Sequence, residues 1–130
     1  MTIEERAEQA VKLKNRGGCN CCQAVVCALR DQTGLDETQA LALASGFGSG
    51  MGSMEGSCGA MVGAAMAAGL HLQGAGTQRL TRQMSKAFKE DCGAVTCKEL
   101  KGVGTGRILC SCDDCVRNAV RIYGKFMELN

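Results

Sequence analysis

The sequence lacks the features that identify several classes of protein. It has no tryptophan, one tyrosine and three phenylalanines, and its net charge of +2 is spread without a basic stripe, so nothing indicates a nucleic-acid-binding surface. No run approaches the roughly 20 apolar residues that a membrane-spanning helix needs. There is one histidine, and no acid and base are paired around a nucleophile, so we expect an electron carrier rather than an enzyme with its own small substrate.

Cysteine, in contrast, is abundant, with ten in 130 residues. A chain of this length is about one domain and can bury a core without disulfides. Because no linker or internal repeat interrupts residues 1–130, we expect a single redox domain. Met1–Arg16 is charged and has no apolar stretch typical of a signal peptide. We therefore expect a cytoplasmic protein, in which clustered cysteines indicate metal or redox chemistry more often than disulfides.

One stretch, Ser45–Leu70, organises the rest of the chain. Its first half is rich in glycine, at Gly46, Gly48, Gly50, Gly52 and Gly56. This density predicts a shaped loop whose backbone can approach another surface closely. The second half has no charged residue and predicts a central helix that is apolar on all sides. Ser57 is expected to be its N-cap and Cys58 its first residue, where free backbone N–H groups favour a thiolate.

Helical patterns cover most of the remaining chain, and only Val103–Leu109 weakly suggests a strand. Capping boxes begin three of the predicted helices, at Thr2 with Glu5, Asn20 with Gln23, and Thr96 with Glu99. The predicted helices cover residues 2–16, 20 to about 34, 36–44, 57–72, 77–91, a short segment after 96, and a last segment from about 111. The expected fold is all-α, a single compact bundle of five to seven helices with a Gly-rich loop before the central helix.

Four of the cysteines follow a residue that is preferred as an N-cap. They are Cys21, Cys58, Cys97 and Cys112, which follow Asn20, Ser57, Thr96 and Ser111. Each helix start offers N–H donors and partial positive charge, which stabilise a thiolate or an anionic metal–thiolate cluster. The alternative is chance, because free cysteine also behaves as a small hydrophobic residue.

The same segments resemble the C_GCAxxG_C_C family, whose members are named as redox-active for their cysteine pattern. The resemblance runs from about Lys14 to Tyr123. It is most specific at SGFGSGMG (45–52) and CGAMVG (58–63), which are similar to the family's SGFGGGMG and CGAxxG segments. NCCQAV (20–25) is similar to its NCAQAV segment, CKEL (97–100) to its CREL stretch, and residue 112 falls on its last cysteine. The resemblance implies four functional cysteines, the same four that follow the predicted N-caps.

The other six cysteines are additional to this pattern: Cys19, Cys22, Cys27, Cys92, Cys110 and Cys115. All except Cys27 are candidate ligands of a larger or second metal site. Cys22 and Cys115 are equally consistent with packed thiols, and Cys27, in mid-helix among apolar neighbours, is expected to be one. Backbone close to a cofactor is expected at Gly48, Gly50, Gly52 and Gly59, since glycine has no Cβ atom in the way.

Three functions are consistent with these observations. We favour an iron–sulfur protein that transfers electrons to a partner protein, because four cysteines dispersed through the chain suit four ligands converging on one centre. The alternative is a thiol–disulfide redox protein that cycles through low-pKa cysteines. A structural zinc site comes third, because zinc ligands usually come from local knuckles. No nucleic-acid or membrane partner is expected, and the oligomeric state, a homodimer included, stays open.

Overall fold

Eight α-helices and no strand make up the fold, which a computed structural model describes over residues 1–130. The helices are α1 (Ile3–Arg16), α2 (Cys21–Ala28), α3 (Arg30–Thr33), α4 (Glu37–Ala44), α5 (Gly59–Leu72), α6 (Thr77–Cys92), α7 (Cys97–Lys101) and α8 (Cys112–Phe126). The all-α expectation is confirmed, and Val103–Leu109 is not a strand. No helix combines the length and the hydropathy needed to cross a bilayer.

The number of helices exceeds the expected five to seven because the second predicted helix is broken. It was expected to continue to Gly34, but α2 ends at Ala28 and Leu29 takes a non-helical ψ of 19°. The N–H of Leu29 is shared between the carbonyls of Val25 and Val26, at 3.1 and 3.2 Å, which is a common arrangement at a helix end. The chain turns at this fully buried leucine, and the one-turn helix α3 packs against α5.

Local capping explains where several helices begin. Thr2 with Glu5 and Asn20 with Gln23 form the predicted capping boxes, in which each side chain bonds the backbone N–H of the other residue. The capping box predicted at Thr96 and Glu99 is wrong, because the side chain of Thr96 makes no cap hydrogen bond. Thr96 instead pairs with Ser57 in an isolated antiparallel bridge.

Helix α5 is central, as predicted, and packs against α2, α3, α6 and α8. Its alanines and glycines let neighbouring helices approach closely. A Cβ atom on Gly63 would lie 3.0 Å from the carbonyl oxygen of Cys22 and 3.1 Å from the Cβ of Val25. The largest buried side chains of the core, Tyr123 and Phe88, come from α8 and α6. The core is therefore assembled around a thin central helix.

The Gly-rich segment before α5 is a shaped connection, as expected, although it contains one short helical turn. Ser45–Phe47 forms this 3₁₀ turn, whereas Met51 and Gly52 have left-handed backbone angles, so Gly50–Met54 is a wide turn and not a regular helix. Three residues other than glycine have positive φ here, namely Ser49 at 52°, Met51 at 63° and Met54 at 66°. Such a conformation costs free energy, so the surrounding contacts must hold it in place.

Two backbone hydrogen bonds hold the starts of α5 and α7 side by side. The N–H of Cys58 donates to the carbonyl of Val95 at 2.7 Å, and the N–H of Cys97 donates to the carbonyl of Gly56 at 3.0 Å. They flank the bridge between Ser57 and Thr96. Two cysteines distant in the sequence are thereby fixed next to each other.

Candidate cysteine site

A cavity of about 440 Å³ lies where α2, α5, α7 and α8 begin. It is lined by the four cysteines that follow the predicted N-caps, here called the cavity cysteines: Cys21, Cys58, Cys97 and Cys112. The other lining residues are Lys14, Cys19, Asn20, Ser49, Met54, Lys101 and Cys115. Cys22, Cys27, Cys92 and Cys110 are not among them. The fold thus brings the cavity cysteines around one space, together with two of the additional cysteines.

Three cavity cysteines are the first residues of their helices, as predicted: Cys21 of α2, Cys97 of α7 and Cys112 of α8. The fourth differs by one residue. Cys58 is itself the N-cap of α5, with a non-helical ψ of 127°, and Ser57 is not the cap. The backbone pairing of Cys58 with Val95 explains this shift, because it keeps the chain extended through residue 58.

Cys58 is the thiol most stabilised as a thiolate. Hydrogen bonds from the thiols of Cys115 and Cys21 lower its pKa to about 3, against the opposing effect of burial. The N–H groups of Ala60 and Met61, in the first turn of α5, add to this shift. The same hydrogen bonds raise the pKa of Cys115 and of Cys21, whose neutral forms are the donors. These contacts therefore favour the thiolate form of Cys58 and the neutral forms of its two neighbours.

Two lysines place positive charge at the cavity. The ammonium group of Lys101 contacts the sulfur of Cys112. Burial alone would lower the pKa of Lys101, but the hydrogen bond to Cys112 and the nearby sulfurs outweigh burial and raise it. Lys14 also lines the cavity and forms an ion pair of 3.1 Å with Asp113. The site thus favours negatively charged sulfur ligands.

A second group of sulfurs adjoins the cavity. We call Cys92, Cys110 and Cys115 the thiol triad, because their sulfur atoms all lie within 4.8 Å of one another. The hydrogen bond from Cys115, more than that from Asn118, lowers the pKa of Cys92 to about 7 despite burial. Burial raises the pKa of Cys110 to about 11. These cysteines could hold a metal ion.

The sequence indicates each triad member only as an additional candidate ligand and does not identify the three cysteines as a set. Cys92 ends α6, Cys110 precedes α8, and Cys115 lies in the first turn of α8. Their meeting depends on the packing of α6 against α8, which no local spacing predicts. The unusual number of cysteines was the only available signal.

The remaining candidate ligands lie apart from both groups or at their edge. Cys22 is fully buried, with its sulfur 4.0 Å from that of Met66, and burial raises its pKa to about 12. It is a packed thiol. Cys19 lies at the cavity and contacts Cys27. Cys27 is half-buried against the small apolar cluster around α2 and α4, consistent with a packing role.

None of the four glycines expected near a cofactor lines the cavity, but three of them pack closely against the start of a helix that bears a cavity cysteine. A Cβ atom on Gly50 would lie 2.5 Å from the Cβ of Cys97, and one on Gly59 would lie 2.7 Å from the sulfur of Cys21. One on Gly48 would lie 2.6 Å from the Cβ of Asn20, the N-cap of α2. Gly52 differs, because its Cβ would meet nothing within 4 Å.

Comparison with known proteins identifies one family. The family model described as "Putative redox-active protein (C_GCAxxG_C_C)" matches residues 19–126, which include all ten cysteines. No curated protein and no solved structure matches the chain.

Proposed function

The chain belongs to the C_GCAxxG_C_C family, and on this premise we propose that it is an electron carrier whose four cavity cysteines ligate an iron–sulfur cluster. The observation that carries the proposal is that all four cavity cysteines line one cavity, at the beginnings of four helices. A bound cluster supplies one-electron transfer. The chain acts as one redox domain of the cytoplasm and exchanges electrons with a partner protein.

The spacing of the sulfurs favours a cluster over a single zinc ion in this cavity. A tetrahedral ion with bonds of about 2.3 Å to sulfur holds its ligands only about 3.8 Å apart. The cavity cysteines are further apart than this, because no three of them have their sulfurs within 4.8 Å of one another. All four line the same cavity of about 440 Å³. An inorganic core of several atoms suits this wider arrangement.

The charges around the cavity also support the proposal. A cluster held by four thiolates is anionic, and its burial is costly unless cations and N–H donors surround it. Lys101 and Lys14 supply positive charge, and the backbone of Ser49 donates a hydrogen bond to Cys21. The starts of α2, α5, α7 and α8 add the positive ends of four helix dipoles. These groups orient the sulfurs and favour their deprotonated form.

A thiol–disulfide function is the second candidate, and the contacts of Cys58 favour it. Its sulfur lies within hydrogen-bonding distance of two other thiols, those of Cys21 and Cys115. Oxidation of the Cys58 thiolate with one of these thiols would form one S–S bond and release one proton, while the two electrons reduce a disulfide on the partner to two thiols. We rank this function second because it leaves Cys97 and Cys112 without a role.

Anaerobic purification tests the proposal through the optical spectrum and through iron, acid-labile sulfide and zinc contents. We expect a brown protein that contains iron and sulfide. Cys58→Ser should lose both, whereas the matched control Cys27→Ser should retain them, because Cys27 lies outside the cavity. Cys97→Ser separates the two candidates, since it abolishes a cluster but leaves the contact between Cys58 and Cys21. A colourless protein with stoichiometric zinc, or one with no metal and a reversible disulfide, contradicts the iron–sulfur assignment.

A further inference from the structure

The three members of the thiol triad are held in place by separate parts of the fold. Cys92 is the last residue of α6. Cys110 lies before α8, where its own N–H and that of Leu109 both donate to the carbonyl of Leu100, at 3.4 and 3.0 Å. Cys115 is fixed within α8, where its N–H donates a hydrogen bond of 2.9 Å to the carbonyl of Ser111. The backbone therefore preorganises the triad without any disulfide.

The distances in the triad match the size of one metal ion. Its sulfurs all lie within 4.8 Å of one another, and no other histidine, cysteine, aspartate or glutamate side chains of the chain form such a group of three. An ion bound at about 2.3 Å requires sulfur separations of about 4 Å, so small rotations of the side chains would close the site. The sulfurs of the triad are therefore closer together than those of the cavity cysteines.

The surroundings of the triad also fit a metal ion. Cys92 is 3% exposed and Cys115 is fully buried, whereas Cys110 is only partly buried and leaves a path from solvent. The side-chain amide of Asn118 donates a hydrogen bond of 3.3 Å to the sulfur of Cys92. Donors of this kind stabilise and orient metal-bound sulfur. Packed thiols in an apolar core have no need of a polar amide directed at them.

From this geometry we propose that Cys92, Cys110 and Cys115 form a second metal site, which binds one thiophilic d¹⁰ ion, Cu(I) or Zn(II), through three thiolates. Both ions prefer sulfur ligands of this kind. Cu(I) is satisfied by the three thiolates, and Zn(II) completes its coordination with a water molecule. Binding releases the thiol protons that the three ligands still carry. The site lies outside the four-cysteine pattern of the family, although one of its members, Cys115, also lines the cavity and contacts Cys58.

The site can be tested on the reduced chain of residues 1–130, prepared without iron under anaerobic conditions. The chain is titrated with Zn(II) and, separately, with Cu(I) in the presence of a chromophoric chelator. We expect Cys92→Ser and Cys110→Ser each to weaken binding of at least one of these ions by about 100-fold or more, because loss of an outer-shell partner alone costs 10–100-fold. Cys27→Ser, at a half-buried thiol outside the triad, should leave the affinity unchanged.

Two further measurements separate this site from the cavity. Cys97→Ser should keep the affinity of the triad for its ion, and Cys110→Ser should keep the iron and sulfide of the reconstituted protein. X-ray absorption of the loaded wild type should count about three sulfur neighbours of the ion. Circular dichroism checks that each variant is folded. If Cys92→Ser is unfolded, the test rests on Cys110→Ser, because Cys110 is only partly buried and its replacement disturbs the core less. Wild-type affinity for both ions in Cys110→Ser, or loss of binding in Cys97→Ser, would overturn the proposal.

Discussion

Gly50 lies directly against Cys97: a Cβ atom on this glycine would be 2.5 Å from the Cβ of the cysteine. The glycine is buried, has a φ of 57°, and accepts a hydrogen bond of 3.0 Å from the N–H of Gly56. The carbonyl of Gly56 in turn accepts the N–H of Cys97. The Gly-rich segment therefore determines where the first residue of α7 stands, and it does so because residue 50 has no side chain.

Gly50→Ala should therefore disturb the proposed cluster, whereas Gly52→Ala should not. Both glycines have positive φ, 57° and 77°, so each alanine strains the backbone by roughly 1 kcal/mol. Only at Gly50 does the new methyl group also displace a cavity cysteine, since a Cβ on Gly52 meets nothing within 4 Å.

We expect Gly50→Ala to lose iron and sulfide on exposure to air faster than the wild type, and Gly52→Ala to match the wild type. The optical spectrum followed over time after oxygen is admitted measures this difference. Equal lifetimes in the two variants would mean that the packing of Gly50 does not control the cluster.

The Lys101 ammonium, which lines the cavity, should raise the reduction potential of the proposed cluster. Because a cation stabilises the more negative, reduced state, Lys101→Met should make the potential more negative by tens of millivolts. An interaction of about 1 kcal/mol corresponds to roughly 40 mV for a one-electron couple. Lys98→Met is the matched control on α7, since Lys98 is half exposed and pairs only with Glu55, at 3.7 Å. Spectroelectrochemical titration measures both variants, and equal shifts would show that Lys101 has no specific effect.

The bidentate ion pair between Arg6 and Asp31 predicts a pH dependence of stability. The two hydrogen bonds, of 2.6 and 2.7 Å, lower the pKa of Asp31 to about 2, against about 3.9 in an unfolded chain. Because the folded-state pKa is the lower one, the stabilisation is complete well above pH 4 and is lost as the pH falls through 2. The Asp31 side chain is 54% exposed, so we expect less than about 1 kcal/mol.

Urea unfolding of the metal-free, reduced chain measures this contribution. Asp31→Asn should lower the free energy of unfolding at pH 7, and the difference from the wild type should shrink as the pH falls from 4 towards 2. A double-mutant cycle with Arg6→Met isolates the pair. A difference that stays constant over this range would show that the ion pair is not its source.

The parts of the fold that depend on residues close together in the sequence were predictable. The capping boxes at Thr2 and Asn20 need only a partner three residues further on, and both form as predicted. The single helix predicted across Leu29 failed because the chain turns there to place α3 on α5, and this packing overrides local helical preference. Local signals thus located helix starts better than a break within a helix.

The candidate site likewise has some features that the sequence predicts and others that depend on tertiary packing. The positions of Cys21 and Cys112 at helix starts follow from the caps that precede them, Asn20 and Ser111. Cys97 also begins a helix as predicted, although Thr96 makes no cap hydrogen bond. The role of Cys58 as an N-cap does not, because it depends on pairing with Val95, which is distant in the sequence. The triad was also beyond prediction, since its sulfurs meet through tertiary packing.

The pairing of Ser57 with Thr96 has a consequence for the order in which the protein is made. A nascent chain that has emerged only as far as α6 contains Cys21 and Cys58, but it lacks Val95 and Thr96, whose backbone holds the start of α5 extended. It also lacks Cys97 and Cys112. All four cavity cysteines are therefore present only after residue 112 has left the ribosome, and we expect the proposed cluster to be inserted after that point.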